Sequence, residues 1–121
     1  MLTGKLRRDS SFGADDHRAF NREGASFDKG ETFSGIPYDV QLEAVEELRS
    51  LVPSGMTMTQ FALRWILMFD AVTCAIPGAK NRIQVEENIS AANFPALGDD
   101  TMQAVENLYA SRIKPLVHQY W

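Results

Sequence analysis

Residues 71–76 (Ala-Val-Thr-Cys-Ala-Ile) make an apolar or β-branched run without alternation, stopped by Pro77-Gly78 before a basic loop, Ala79-Lys80-Asn81-Arg82, and a helical pattern. Such a run predicts a strand covered on both faces, as in a parallel sheet. The helix that follows points its N-terminus at the loop, where backbone N–H groups and a nearby cation favour an anion. Strand, loop and helix in this order outline a nucleotide site. One strand cannot cover two faces by itself. Either the chain belongs to a larger sheet or it is mostly a helical assembly.

The rest of the chain predicts four helices behind a long loop. Residues 1–37 carry Gly4, Gly13, Gly24, Gly30, Gly35 and Pro37 and sustain no period, so they read as a loop with one short helical turn. Phe12, Phe20, Phe27 and Phe33 make it an ordered loop rather than a disordered tail. Val40, Ala44, Leu48 and Val52 then recur at helical spacing, with Asp39 as the expected N-cap and Pro53 and Gly55 as the stop. A second helix over residues 57–69 is capped by Thr57 or Thr59 and buries Met58, Phe61, Ala62, Trp65 and Phe69. A third, over residues 82–92, turns Val85, Ile89 and Ala92 inward, and a fourth starts at Asp99 or Asp100 and ends before Pro115.

Composition narrows the partners. At 121 residues there is room for one core, and a net charge of −4 argues against general affinity for nucleic acid or anionic membrane. The one cysteine, Cys74, lies in the apolar run and reads as a buried thiol, which excludes an internal disulfide and points to a reducing, cytoplasmic setting. The longest apolar run, residues 65–69, is far short of the ~20 residues of a membrane span. His17 and His118 are isolated, and no Cys/His spacing suggests a metal.

Four collinear pieces carry a family resemblance: Leu2-Thr3-Gly4-Lys5, then Asp16-His17-Arg18 with Phe20, then residues 60–65 (Gln-Phe-Ala-Leu-Arg-Trp), then Ile76-Pro77-Gly78-Ala79 with Gln84, Glu87 and Asn88. Together the chain resembles the C-terminal part of aldo-keto reductases, (β/α)8-barrel oxidoreductases that use a nicotinamide cofactor. The resemblance implies an α/β fold: the C-terminal portion of a (β/α)8 TIM barrel, helix-rich, with an incomplete parallel sheet. It divides residues 1–121 into a cofactor-covering loop (1–37), a helix-helix-strand-helix unit (38–98) and a C-terminal helix and tail (99–121).

It further implies that Gly4 and Lys5 lie near the cofactor's pyrophosphate and that Arg18 clamps the same region. Gly78, Lys80 and Gln84 would line the adenosine phosphate, and Glu87 and Asn88 would hydrogen-bond the adenine end. The better-known form of the motif has Lys after Ile-Pro and Arg four residues before the Asn; here those positions are Gly78 and Gln84. The 2′-phosphate then falls to Lys80, with Arg82 near, which implies NADP with NAD as the alternative. The catalytic tetrad of the family matches nothing in this chain, so the expectation is cofactor contacts without the acid that protonates an aldehyde or ketone. A rival reading is a non-catalytic module that binds a nucleotide or pairs with another subunit, and another is a helical scaffold without a ligand. Apolar faces awaiting neighbours predict self-association.

Overall fold

A computed structural model describes residues 1–120; Trp121, whose packing with Tyr120 the sequence leaves open, lies outside the described residues. Among the described residues six α-helices form: α1 (His17–Phe20), α2 (Tyr38–Arg49), α3 (Met58–Ile66), α4 (Arg82–Ser90), α5 (Asp99–Leu108) and α6 (Lys114–Val117). The core is one small cluster. Val45 from α2, Met58 and Phe61 from α3, and Leu97 just before α5 are buried together, bordered by Leu48, Trp65, Met102 and Val105.

Helix α3 starts where the sequence places it. Thr57 accepts from the Gln60 N–H while the Gln60 side chain accepts from the Thr57 N–H, a reciprocal cap that settles the choice between Thr57 and Thr59. The other two cap expectations are corrected. Pro37 occupies the cap of α2 and Gly98 that of α5, neither with a side-chain bond, so Asp39, Asp99 and Asp100 fall inside the first turns. There they still favour the positive end of the helix. Helix α5 ends at Leu108, before Pro115 as the sequence predicts. A π-helical turn, Tyr109–Ile113, follows it, and Pro115 sits in the first turn of the short α6, where a missing N–H is no loss.

The expected strand is the main departure. Among the described residues no strand forms, and the incomplete parallel sheet is not seen. Val72 donates its N–H to the Phe69 carbonyl as the chain leaves α3, Ile76 is 94% exposed, and Cys74 is exposed rather than buried. A strand exists only through its neighbours' hydrogen bonds, and nothing among the described residues supplies them. The same lack of a cover leaves Val85, Ile89 and Ala92 of the α4 region exposed instead of inward.

Residues 1–37 are ordered as the aromatics suggest, with α1 and two 3-10 turns (Lys29–Glu31 and Phe33–Gly35). Phe12, Phe33 and Tyr38 pack edge-on or tilted at 5.0–6.3 Å between centroids, fastening the loop to the start of α2. Phe33 and Ser34 take left-handed backbone angles, φ 53° and 55°. The buried Gln41 side chain holds that strained turn by donating to the Phe33 and Ile36 carbonyls.

Candidate cofactor site

The loop before α4 is built by the helix it precedes. Asn81, the N-cap, accepts from the Gln84 N–H at 3.0 Å. Gln84 Oε1 in turn accepts from the Lys80 N–H at 2.7 Å, and Asn88 Nδ2 donates to the Gly78 carbonyl at 3.3 Å. Two side chains on one helix face, Gln84 and Asn88, thus pin the backbone at Lys80 and Gly78, while Asn81 caps the helix itself. The first N–H groups of α4, on Arg82 and Ile83, have no acceptor within the helix. A Cβ added at Gly78 would meet no protein atom within 4 Å, so the loop backbone is open to close approach.

Charge at this end comes from Lys80, whose ammonium is exposed and has no partner among the described residues, and from Arg82, which bonds Glu86 at 2.7 Å on the surface. Ser90 closes the unit from behind by accepting from Gln60 Nε2 at 2.8 Å, tying α4 to α3. The structure therefore brings Gly78, Lys80, Gln84 and Asn88 together. It gives Gln84 and Asn88 a different immediate task from the expected one: each already spends one polar atom on the loop, leaving Gln84 Nε2 and Asn88 Oδ1 for anything else. Glu87 is exposed, and its carboxylate holds none of the loop.

The remaining expected site residues lie on other elements. Gly4 turns the chain at φ 65°, its N–H donating to the Met1 carbonyl at 3.0 Å, and a Cβ there would come within 3.1 Å of the Arg49 guanidinium at the end of α2. Lys5 beside it is exposed. Arg18 sits on α1 and is gripped by Asp16, which also caps that helix: Arg18 Nε donates to both carboxylate oxygens at 2.9 and 3.1 Å. The guanidinium lies 4.5 Å over the Phe12 ring. No hydrogen bond or ion pair joins Gly4, Lys5 or Arg18 to the 78–88 unit among the described residues.

The Arg18 hydrogen bonds hold the Asp16 carboxyl down to about 2, below its ordinary 3.8. Because the folded value is the lower one, the pair's stabilisation of α1 is complete above about pH 4 and is lost as pH falls through about 2. A chemical-shift titration of the Asp16 carboxyl checks this: Arg18→Gln should return the midpoint to the ordinary value, and an ordinary midpoint in the unaltered chain would refute the pairing.

Sequence reasoning missed Asn81, although a short polar residue just before a helical pattern is an N-cap signal. It also missed Ser90 and Arg22, whose roles come from contacts 30 residues away or from stacking on rings. No curated protein and no solved structure gives a significant match. The model described as the aldo/keto reductase family matches residues 1–110. That span is most of the 121 residues and includes the turn at Gly4, the Asp16–Arg18 pair and the pinned loop, so the chain belongs to the aldo/keto reductase family.

Proposed function

We propose that this chain is the cofactor-binding C-terminal part of an NADP-dependent enzyme that reduces aldehydes and ketones. Membership makes it an oxidoreductase by family, a class that works on a nicotinamide cofactor and a carbonyl substrate through a (β/α)8 barrel. The observation that carries the finer reading is the loop of residues 78–80, held open-faced by Gln84 and Asn88 in front of unpaired helix N–H groups.

The donor set fits a phosphorylated nucleotide. The Arg82 and Ile83 N–H groups and the Lys80 ammonium would hold a phosphate, and Gly78 lets it approach the backbone. Gln84 and Asn88 keep that loop in place and offer one amide donor and one acceptor beyond it. Gly4, Lys5 and Arg18 would serve the pyrophosphate from the long loop. When bound, the nicotinamide supplies hydride to the carbonyl carbon. No residue of this chain is assigned the proton that completes the reduction, so binding without turnover is the expected behaviour of the isolated chain. A cytoplasmic setting agrees with an exposed thiol at Cys74, and no described helix is long and apolar enough to cross a membrane.

Fluorescence titration with NADPH and NADH tests the reading. Lys80→Ala should weaken NADPH by about tenfold, the order expected for one charge-assisted contact, and change NADH less. An unchanged NADPH affinity would remove Lys80 from the site, and reduction of a carbonyl by the isolated chain would overturn the assignment of the proton donor to sequence elsewhere.

One observation favours the rival reading of a subunit-interaction module. Leu63, Leu67, Val85, Ile89 and Ala92 line an apolar groove of about 490 Å³ between α3 and α4, beside the exposed Ile76. Sedimentation across a concentration series distinguishes the two: self-association without saturable nucleotide binding would favour the module.

A further inference from the structure

Residues 73–79 alternate. Thr73, Ala75, Pro77 and Ala79 all line the apolar groove between α3 and α4, whereas of the even positions only Cys74 reaches it and Ile76 is 94% exposed. Two-residue alternation marks an extended backbone with one face covered. Among the described residues no hydrogen bond reaches the backbone of residues 73–77. The free stretch is bounded by the Val72 N–H, which bonds the Phe69 carbonyl, and by the Gly78 carbonyl, which accepts from Asn88. The groove thus seats a strand-like segment by its side chains and leaves its edge open. Charge lies only at the two ends. Asp70 and Lys80 are exposed, neither is paired among the described residues, and residues 71–79 between them carry no charge.

We propose that this edge pairs with the same edge of a second copy of the chain, antiparallel about a two-fold axis at Ala75. In an antiparallel pair the numbers of opposite residues make a constant sum, and a two-fold axis makes that sum even. Centring on Ala75 sets Asp70 of each copy opposite Lys80 of the other, at both ends of the ribbon. Centring on Cys74 sets Asp70 opposite Gly78, and centring on Ile76 sets it opposite Arg82, which already lies inside α4. Pro77 selects the edge. Successive N–H groups point to opposite edges of a strand, so Cys74 and Ile76 share one edge and the missing N–H of Pro77 falls on the other. On the chosen edge Cys74 and Ile76 exchange N–H···O=C bonds with Ile76 and Cys74 of the second copy. The exposed Ile76 side chain gains an apolar neighbour there, and Ala75 meets Ala75 across the axis, where small side chains let the backbones close.

This contact goes beyond the cofactor reading and is tested without nucleotide, so its failure leaves that reading untouched. Sedimentation velocity of the full chain, with a reductant present, should show a monomer–dimer equilibrium over a concentration series. Asp70→Lys, which sets like charges opposite each other at both ends, should weaken the dimer about tenfold, and Lys80→Asp should do the same. The double variant Asp70→Lys/Lys80→Asp restores opposite charges and should recover the original affinity. Cross-linking checks the register. Residues facing each other in a non-hydrogen-bonded pair lie about 4.5 Å apart at Cα, within reach of a disulfide, and diagonal neighbours at about 7–8 Å lie beyond it. In a Cys74→Ser background, Ala75→Cys should therefore form a covalent dimer roughly tenfold faster or more than Ile76→Cys. Oxidised glutathione is the oxidant and takes up the two thiol protons and two electrons. A monomer throughout the series overturns the proposal, as does a dimer that charge reversal leaves unchanged or that the double variant fails to recover. Equal cross-linking at the two positions overturns it as well.

Discussion

Phe61→Ala is expected to leave the chain largely unfolded at 25 °C, read as loss of a cooperative urea transition by circular dichroism. Phe61 is 2% exposed and lies at the centre of a cluster whose other buried members are Val45, Met58 and Leu97. Removing a buried phenyl ring costs about 3–5 kcal/mol through lost transfer energy and the cavity left behind. Small domains are stable by only about 5–15 kcal/mol in total. With a core of this size nothing else in the chain offsets such a loss. Phe69→Ala is the control: the same ring type near the end of the same segment, packed on Trp65 at 4.8 Å but 42% exposed. It should cost about 1 kcal/mol, the worth of an edge-on aromatic pair. Equal losses from the two variants would place the core elsewhere.

Phe61 was legible because its signal is local. The spacing from Met58 to Phe61 and the Thr57–Gln60 cap lie within one turn, so the sequence marks both where the helix starts and which face packs. The pinned loop was half legible. The Pro-Gly break and polar face at Gln84 and Asn88 announced a site, but the same spacing fits a face turned to a ligand and a face turned back on its own loop. Only the fold shows that Gln84 and Asn88 do the second. Residues 71–76 carry a strand pattern, which depends entirely on partners, and no partner strand forms among the described residues. For the same reason, Val85 and Ile89 were given an interior that this chain alone does not build. In α2 the apolar stripe holds at Ala44, but Gln41 is buried as well, because the left-handed turn at Phe33 needs a donor there. A residue's burial in a loop-rich region follows from which orphan backbone groups come near it, and no periodicity encodes that.

Asn21 is the strongest instance, and Asn21→Ala is expected to open residues 21–32 while leaving the helical core folded. Asn21 is 0% exposed and uses both ends of its amide. Its Oδ1 accepts from the Ser26 and Phe27 N–H groups at 2.8 and 3.0 Å, and its Nδ2 donates to Thr32 Oγ1 at 3.2 Å and toward the Asp28 carbonyl at 3.5 Å. Thr32, 1% exposed, passes the network on to His17 Nδ1 at 3.2 Å. Alanine strands two backbone donors and takes one of its two partners from the buried Thr32 hydroxyl, at about 1–3 kcal/mol for each group left dry. Ser26 and Phe27 are exposed enough for water to reach their N–H groups, which holds the total to about 2–3 kcal/mol. Aspartate keeps the acceptors but loses the donor and buries a charge, so Asn21→Asp should open the loop at neutral pH as well. Limited trypsin digestion reads the result directly, because Arg22 and Lys29 lie inside the network, and Trp65 fluorescence, read in a Trp121→Phe background, reports the core separately. Cleavage at those two sites should speed by roughly tenfold or more, the change in open population that 2 kcal/mol implies, with the Trp65 signal unchanged. Unchanged cleavage would show that the loop is held by its aromatic contacts to α2 and that the amide network contributes nothing to its order.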